Sequence, residues 1–482
     1  MVIASVVSMA KMTGPCFRNG WLYYIQRGYT GSNRDFLPIH PGRYPENGTG
    51  IINGCHYNNG RSISFITCPA IAKYKRTGND HIKETGVVYA YRPVFKKKQE
   101  GCNLKKIILI PDSFKGTMSS GEICSIMNDS IKKTYPSAQV ISIPVADGGE
   151  GSVDAFLCAV GGIKQSVMVK GPLFEDMESY YGIIDNGETA VIEMAACAGL
   201  PLVGDNKDVK NTTTYGVGQL ISAALENGCR KIIMGLGGSA TNDAGTGAAA
   251  ALGVKFTNEA GVEFIPVGGT LTDITHIDVS GMHPALKSVE FITMCDIDNP
   301  LYGQTGAAYV FGPQKGAAPE IVAELDNGLR HIAEVIKTDL QKDVSMLKGA
   351  GSAGGMGGGM AAFFNSKLQM GIETVLDTVN FDKIISGADI IFSGEGKIDS
   401  QSIRGKVVIG VAKRAKKANV PLVAVVGDIG DDIEAAYEEG VSAIFSINRV
   451  AVDFKIAQAR AKDDLALTMD NIMRFMHRLE SK

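Results

Sequence analysis

Short apolar runs alternate along the chain with segments whose apolar residues recur at helical spacing, most regularly from residue 104 onward. Short runs bounded by turn residues are typical of strands buried on both faces of a parallel sheet. The apolar runs lie at residues 105–110, 140–145, 232–234, 291–294, 388–392, 421–426 and 443–447. The helical segments lie at residues 119–133, 153–160, 217–225, 320–340, 407–416 and 465–479. This alternation predicts the α/β class, with a doubly wound parallel sheet.

The pattern changes between residues 165 and 194, where extended segments are separated by turns at 171–172 and 185–187. Such a stretch predicts a meander of strands and the start of a second α/β domain. The strand–helix alternation returns further along the chain and can complete the first sheet. We therefore expect a cleft between one discontinuous domain and one inserted domain. The discontinuous domain would comprise residues 104–163 and 385–482, and the inserted domain residues 164–384.

The sequence RKIIMGLGGSATNDAGTG at residues 230–247 is the first candidate for a binding site. Its apolar run, glycine-rich turn and alanine-rich end predict a strand, a loop and the start of a helix. Glycines let the backbone approach a ligand, and the free N–H groups at a helix start attract anions. The loop therefore predicts a phosphate site beside a carboxylate, although a tight packing turn without a ligand is the alternative. Its candidate residues are Gly235, Gly237, Gly238, Ser239, Thr241, Asn242 and Asp243.

Other glycine-bearing loops follow predicted strands and carry acids or lysines. Ligands of doubly wound sheets collect at the carboxyl ends of strands, so we expect these loops to converge. The candidates in them are Asp112, Ser113, Lys115, Asp147, Gly148, Gly149, Asp296, Lys315, Glu395 and Asp399. The glycine run at residues 349–359, which includes Gly354 and Gly355, predicts a second phosphate- or substrate-binding loop. A close helix-packing turn is the alternative for that run.

Together these residues predict phosphoryl transfer. That chemistry needs a cationic side chain, oxygen ligands for Mg²⁺, and a carboxylate that orients or deprotonates the attacking hydroxyl. The strict nucleotide loop G-x4-G-K-[ST] is absent, because the Gly-Lys pairs at 396–397 and 405–406 are followed by apolar residues. ATP is therefore expected to bind in another way. No histidine lies in these loops and no G-x-S-x-G motif occurs, which argues against a histidine-based hydrolase.

Composition and charge restrict the possible classes of function. With 482 residues, 45% hydrophobic and 21% charged, the chain is long enough for two or three globular domains. A net charge of −3 gives no overall positive field for nucleic acid. No apolar stretch approaches the roughly 18 residues that a membrane helix needs. The nine scattered cysteines form no C-x-x-C pair, which predicts thiols in a reducing compartment and hence a cytoplasmic protein.

Residues 1–103 differ in kind from the rest, because they are basic and rich in Gly, Asn, Tyr and Arg. They show no sustained period and no clean signal peptide. A transit peptide and an independent basic binding domain are alternatives. We favour a leader that is either disordered or translated from upstream DNA. Residues 99–101 can be encoded by a purine-rich ribosome-binding sequence, and Leu104 by a TTG start codon.

Seven motifs resemble those of the bacterial glycerate kinases of the glycerate 2-kinase type, in order from about Leu104 to the C-terminus. They are PDSFKG at 111–116, ADGGEG at 146–151, NTTTYGVG at 211–218, GLGGSATND at 235–243, CDIDNPLYG at 295–303, FGPQKGA at 311–317 and SGEGKIDSQS at 393–402. The resemblance implies ATP-dependent phosphorylation of D-glycerate, usually at the 2-hydroxyl, with Mg²⁺. It also implies two α/β domains, of which the discontinuous one is flavodoxin-like. Residues 1–103 have no counterpart in it.

We assign expected roles within this resemblance. Lys115 is expected to hold a phosphate or the glycerate carboxylate. Asp147 and Asp243 are expected to be the catalytic base and a magnesium-side carboxylate, in either order. On this interpretation, Asp243→Ala lowers kcat by several orders of magnitude and leaves the fold intact. The glycine loops would hold ATP phosphates, and Glu395 and Asp399 would close the cleft.

Other functions stay open at this point. A nicotinamide-dependent dehydrogenase would use the same glycine turn, but the acid that should close the next strand is not evident. A kinase of another small hydroxy acid would share the whole site. Sugar-type kinases with a G-L-G-S-S-A loop match only residues 235–240, and a periplasmic-type binding protein would need an export signal. We expect no nucleic-acid or membrane partner, and a homodimer is one expectation for the oligomeric state.

Overall fold

The computed structural model describes residues 104–146, 148–400, 402 and 406–480, and of the preceding region only five short strands. The chain divides into two compact units, residues 1–100 and residues 101–482. The first unit contains an antiparallel sheet with the strand order β1-β2-β5-β4-β3. Its strands are β1 (Cys16–Arg18), β2 (Trp21–Tyr23), β3 (Ile51–Ile52), β4 (Phe65–Ala70) and β5 (Val88–Tyr91).

Strands and helices alternate in the second unit, which confirms the predicted α/β class. Its strands are β6 (Lys106–Pro111), β7 (Gln139–Ser142), β8 (Ile163–Lys170), β9 (Asp176–Ile184), β10 (Thr189–Glu193), β11 (Lys231–Gly235), β12 (Lys255–Thr257), β13 (Glu263–Phe264), β14 (His276–Asp278), β15 (Glu290–Met294), β16 (Lys367–Gln369), β17 (Ile390–Gly394), β18 (Lys397–Ile398), β19 (Leu422–Val426), β20 (Asp428–Ile429) and β21 (Val441–Ser446). Its α-helices are α1 (Ser120–Thr134), α2 (Ser152–Val160), α3 (Ala195–Ala198), α4 (Leu200–Val203), α5 (Tyr215–Glu226), α6 (Thr246–Ala251), α7 (Ala307–Phe311), α8 (Pro319–Leu340), α9 (Ser352–Phe364), α10 (Gly371–Thr378), α11 (Phe381–Ile385), α12 (Val407–Lys417), α13 (Glu434–Glu438) and α14 (Phe454–Glu480). Short 3₁₀ helices lie at Asp185–Gly187, Gly268–Asp273, Pro284–Ser288 and Pro313–Lys315.

One sheet of this unit is entirely parallel and has the order β21-β19-β17-β6-β7. Numbered along the chain, this is the 2-1-3-4-5 order of flavodoxin-like folds. The predicted doubly wound, flavodoxin-like sheet is therefore confirmed. In this topology the ligand site lies at the carboxyl ends of the strands where the strand order reverses. Here those strands are β6 and β17.

The apolar sequence of β6 follows from its place in the middle of this sheet. Ile108 and Ile110 pack on one face against α2, α10 and α12. Ile107 and Leu109 pack on the other face against α1 and α14. Successive side chains of a strand point to opposite faces, so a strand covered on both sides is apolar at every position.

A second large sheet has the order β16-β15-β11-β10-β9-β8. The strands β10, β11, β15 and β16 are parallel, and the loops that follow β11 and β15 include the predicted glycine loop and Asp296. The strands β8, β9 and β10 are antiparallel, as the meander pattern of residues 165–194 predicted. Smaller sheets pair β13-β12-β14 and β18-β20. The predicted division of residues 104–482 into a discontinuous and an inserted domain stays a prediction.

Two elements differ from the sequence-based bounds. The strand β7 ends at Ser142, before the predicted end at residue 145. The helix α14 begins at Phe454, well before the predicted start at residue 465, and its first two turns are mostly exposed. Among the described residues, no helix combines the length and the apolar character needed to cross a bilayer.

We expect Ser119→Ala to lower the free energy of unfolding by about 1 kcal/mol, because it removes the cap of α1. Ser119 Oγ accepts from Glu122 N at 3.3 Å, and Ser119 N donates to Glu122 Oε2 at 2.9 Å. Urea unfolding followed by circular dichroism measures the change. The control is Ser166→Ala on an exposed position of β8, and equal stabilities of the two variants would contradict the capping role.

Candidate active site

A cavity of about 660 Å³ lies where the carboxyl ends of β6 and β17 meet. The loops after both strands line it, and so does the loop after β15 of the second large sheet. The predicted site residues in its lining are Asp112, Ser113, Lys115, Asp296, Glu395 and Asp399. The structure thus brings six predicted residues from two sheets into one cavity.

The loop after β6 is held at both ends. Asp112 N donates to the carbonyl of the last residue of β17 at 2.8 Å, which joins the loop to the neighbouring strand. Ser113 N donates to Asp112 Oδ1 at 2.6 Å. At the far end, the amide of Gln458 on α14 donates to Gly116 O. The loop is therefore fixed where it lines the cavity with Lys115.

Asp296 is positioned by the element that follows the second sheet. Its Oδ1 accepts from Gly371 N, the first residue of α10, at 2.7 Å. A carboxylate near a helix N-terminus is stabilised by the helix dipole and by the unpaired N–H groups there. This contact holds the strand end of β15 and the start of α10 at the same side of the cavity.

Glu395 is the most buried of the described acids in the cavity, with 5% of its surface exposed. Its Oε1 has no hydrogen-bond partner among the described residues. Burial raises the pKa of this carboxyl to about 7, helped by the charges of Asp112 and Asp399 and opposed by Ser402 and Lys406. Near neutral pH, Glu395 can therefore take up or release a proton inside the cavity.

A second cavity of about 590 Å³ shares residues 113–115 and 117 with the first. Its opposite wall includes Gly149, Gly237 and Gly238. A Cβ on Gly237 would stand 2.5 Å from the Cα of Gly149, and Gly237 N donates to Gly148 O at 2.9 Å. These positions need glycine because two backbone loops touch there. Lys115 lines both cavities and thus lies at their common wall.

Asp243 lies beneath the glycine loop and is fully buried. Its Oδ2 accepts from Thr214 N and Oγ1, both at 2.8 Å, and from Gly247 N at 3.3 Å. Its Oδ1 accepts from Gly245 N at 3.2 Å. Burial raises the pKa of this carboxyl, and these hydrogen bonds oppose the rise. Asp243 lines neither cavity, and its expected role as base or magnesium-side carboxylate stays a prediction.

Lys315 also lies behind the glycine loop, with 2% of its surface exposed. Its Nζ donates to Ser239 Oγ at 2.8 Å and to Thr241 O at 2.6 Å. Burial lowers the pKa of the ammonium group to about 7, against the attraction of Asp243. Thr241 Oγ1 and the amide of Asn242 are buried without a partner among the described residues. The structure therefore places Lys315, Thr241 and Asn242 inside the protein, away from the cavity lining.

The glycine run at residues 349–359 is not a free loop, because α9 begins at Ser352. Gly354 and Gly355 have φ angles of +67° and +90°, which L-residues rarely adopt. A Cβ on Gly354 would stand 2.0 Å from Thr241 O. The run therefore packs against the inner side of the loop after β11. This packing favours the alternative of a close helix-packing turn, and ligand binding by the run stays a prediction.

The expected magnesium ligands are only partly visible. Asp147 lies outside the described residues. In the described part of the chain, no three His, Cys, Asp or Glu side chains lie close enough to form a metal site. Mg²⁺ at phosphoryl-transfer sites is usually held by one or two carboxylates together with substrate phosphates. Asp112 and Asp399 in the larger cavity fit that mode of binding.

Comparisons with known proteins identify the family of this chain. The model of the glycerate kinase family matches residues 107–477. The chain belongs to the glycerate kinase family. It is 45% identical over 343 residues to the glycerate 2-kinase of Escherichia coli (strain K12), covering 71% of this chain and 90% of that protein. It is 44% identical to the glycerate kinase of Bacillus cereus (strain ATCC 10987 / NRS 248), covering 76% and 97%.

The fold of a solved glycerate kinase agrees as well. A crystal structure described as a glycerate kinase 2 from Salmonella typhimurium LT2 matches with a TM-score of 0.71 and 38% identity, over 79% of this chain and 100% of that chain. The resemblance based on the seven motifs is thus confirmed, and the protein is an enzyme of the kinase class of transferases.

The sequence reasoning missed the far end of the larger cavity. The residues there are Lys406, Asp428, Asn448, Phe454 and Gln458. They follow β17, β19 and β21 in the chain, or lie on the first turns of α14. Only the position of these residues in the chain could have indicated them. The strands that complete a doubly wound sheet end at the same edge as the first strand, so the residues that follow them lie near the site.

We expect Asp243→Ala to destabilise the folded kinase by about 3 kcal/mol or more, because it leaves three buried N–H groups without an acceptor. Urea unfolding compares the variant with Asp205→Ala, a substitution at an exposed acid. The control should stay within about 0.5 kcal/mol of the wild type. Unchanged stability of Asp243→Ala with a large loss of kcat would instead restore the catalytic role.

Proposed function

We propose that this chain transfers the γ-phosphoryl group of ATP to the 2-hydroxyl of D-glycerate and gives 2-phosphoglycerate. The family supports phosphorylation of glycerate. The observation that carries the proposal is that Lys115 and Ser113 meet the carboxylates of Asp112, Asp296, Glu395 and Asp399 in a single cavity at the edge of the flavodoxin-like sheet. Phosphoryl transfer needs positioning and charge stabilisation more than covalent chemistry from the protein, and this arrangement offers both.

Lys115 is proposed to hold the transferred phosphoryl group. It lies at the wall common to the two cavities, so its ammonium group can contact an anion in either one. The second cavity offers backbone near Gly149, Gly237 and Gly238 for the close approach of glycerate or of phosphate oxygens. With ATP in the larger cavity and glycerate in the second, the reacting groups would meet beside Lys115.

Glu395 is proposed to be the group that accepts the proton of the attacking hydroxyl. It is buried at the end of the central strand β17, and its Oε1 is without a partner among the described residues. A general base works best when its pKa lies near the operating pH, and burial raises the pKa of Glu395 to about 7. Asp147, in contrast, stays a sequence-based prediction for the same role.

Mg²⁺ is proposed to bind through the carboxylates of Asp112 and Asp399. Both line the cavity that would hold the phosphates, and hard oxygen ligands are the ones that Mg²⁺ prefers. When bound, the ion would neutralise charge on the phosphate oxygens. The protein's own contribution is to keep these two acids in place, Asp112 through its hydrogen bond to Ser113 N.

The 2-hydroxyl is proposed as the acceptor because the motifs resemble the glycerate 2-kinase type, and the Escherichia coli relative is named a glycerate 2-kinase. A kinase of another small hydroxy acid is the remaining alternative. The dehydrogenase alternative is not favoured, because the matching family and relatives are kinases. A cytoplasmic location and a homodimer are further proposals from the sequence.

We expect ATP, Mg²⁺ and D-glycerate to give a signal through enolase without added phosphoglycerate mutase, because enolase consumes only the 2-phosphate. Absorbance of the enolase product measures the reaction. A signal that requires the mutase would move the transfer to the 3-hydroxyl. Absence of ADP release with glycerate would contradict the substrate, and a panel of other hydroxy acids would then identify the acceptor.

We expect kcat/KM to rise with pH to a plateau above about 7, because Glu395 must be deprotonated to accept a proton. Below that pH the rate should fall about tenfold per unit. Glu395→Gln should abolish this fall of the rate at low pH and remove most of the activity. Glu259→Gln, at an exposed site, should keep the wild-type pH dependence and the wild-type activity. If Glu395→Gln keeps the wild-type fall of kcat/KM at low pH, another acid accepts the proton.

The raised pKa also predicts a change in stability with pH. A carboxyl whose folded-state pKa lies above its unfolded value favours the folded state while it is protonated. The contribution of Glu395 is therefore full below about pH 4.5 and is lost as the pH rises to about 7. Glu395→Gln should remove this loss, so the variant should unfold less readily than the wild type at pH 8, with urea midpoints as the measurement.

A further inference from the structure

The larger cavity does not end at its acidic cluster. Beyond Asp399 its lining continues with Gly427 and Asp428 after β19 and with Ile447 and Asn448 after β21. It ends against the first turns of α14. The cavity thus runs along the carboxyl ends of four neighbouring strands, of which only the first two carry the proposed catalytic residues.

The length of this cavity exceeds what a three-carbon acid needs. Adjacent strands lie about 4.8 Å apart, so the steps from β6 through β17 and β19 to β21 span about 14 Å. Because the proposed function places glycerate in the second cavity, this length is left to the nucleotide. A volume of about 660 Å³ lies within the range of small-molecule and cofactor sites.

The part of the cavity against α14 differs in chemistry from the acidic cluster. Phe454, Ala457 and Ala461 lie at spacings i, i+3 and i+7, which places them on one face of α14. The ring of Phe454 is 68% exposed although it lines the cavity. The two alanines leave room above the helix, and Ile447 adds a buried apolar surface. Such a surface favours a flat aromatic group, which can stack on the phenyl ring.

Two side-chain amides lie at the rim of this apolar surface. Asn448 follows β21, and Gln458 lies one turn of α14 beyond Phe454. An amide offers both a donor and an acceptor, which the edge of a nucleobase can match. Gln458 also contacts the carbonyl of Gly116, so the apolar end of the cavity is tied to the loop that carries Lys115.

We infer that the adenine ring of the nucleotide lies against Phe454 and Ala457, with the triphosphate directed along the strand ends toward Glu395 and Lys115. This inference rests on the proposed function, because it assigns the seat of the nucleotide in that reaction. It places the base of the nucleotide on α14, a helix that lacks any glycine-rich nucleotide motif. It also explains why the chain can use ATP without the strict nucleotide loop.

The test places a bulky side chain where the adenine ring would lie and measures the binding of ADP directly. Ala457→Trp places an indole where the base would lie, whereas Ala459→Trp places it on an exposed position of the same helix outside the cavity. Isothermal titration with ADP should show an affinity about tenfold weaker or more for Ala457→Trp. The affinity of Ala459→Trp should stay within about twofold of the wild type, and so should the KM of both variants for glycerate.

A second pair of variants covers the case in which tryptophan disturbs the helix. Phe454→Ala removes the ring, and Phe475→Ala removes a ring that is 63% exposed on the same helix outside the cavity. Only Phe454→Ala should weaken ADP binding. Wild-type ADP affinity in both Phe454→Ala and a folded Ala457→Trp overturns the inference but leaves the proposed function standing. No ADP binding by the wild type, with no turnover of ATP, would instead remove the proposed function itself.

Discussion

The active site of this kinase depends on a contact between two backbone loops with no side chain between them. Gly148 follows β7 of the flavodoxin-like sheet. Gly235 is the last residue of β11 of the other large sheet, and Gly237 follows it. A Cβ on Gly235 would stand 2.4 Å from Gly148 O, and one on Gly237 would stand 2.5 Å from the Cα of Gly149. Any larger residue would separate the strand ends of the two sheets and so move Asp296 away from the other acids of the cavity.

Buried polar groups hold the loop behind this contact. The carboxylate of Asp243 accepts hydrogen bonds from the starts of α5 and α6, and Lys315 donates to Ser239 and Thr241. Burying two ionisable groups is unfavourable unless they are well hydrogen-bonded. We therefore interpret the buried Asp243 and Lys315 as groups that make the loop rigid, and not as groups that raise the free energy of unfolding. A rigid loop can keep Gly237 and Gly238 at the cavity wall when no ligand supports it. Asp243 and Lys315 are thus joined by hydrogen bonds to the inner side of the loop.

The sequence predicted the fold well because its signals are local. Both faces of β6 are buried, so the apolar run at 105–110 marked a central parallel strand, and the turn at 185–187 marked the meander. The site was predicted less well, because the sequence places residues at strand ends but says nothing about which side chains turn inward. Asp243 and Glu395 both follow buried strands and look alike in sequence. Tertiary packing fully buries Asp243 beneath a loop. It leaves Oε1 of Glu395 without a hydrogen-bond partner among the described residues.

The difference between Asp243 and Glu395 indicates which kind of acid suits the proposed site. A carboxylate on a mobile loop must lose that mobility before it can hold a position beside a substrate. Glu395 instead directly follows β17, a strand that is paired on both sides, by β6 and by β19. The sheet fixes its backbone, and burial keeps its carboxyl partly protonated near neutral pH, as its raised pKa requires. Asp112 lies at the end of the neighbouring strand, joined to β17 by a backbone hydrogen bond. The reversal of strand order between β6 and β17 therefore supplies, from topology alone, two carboxyl groups on adjacent rigid supports facing one cavity.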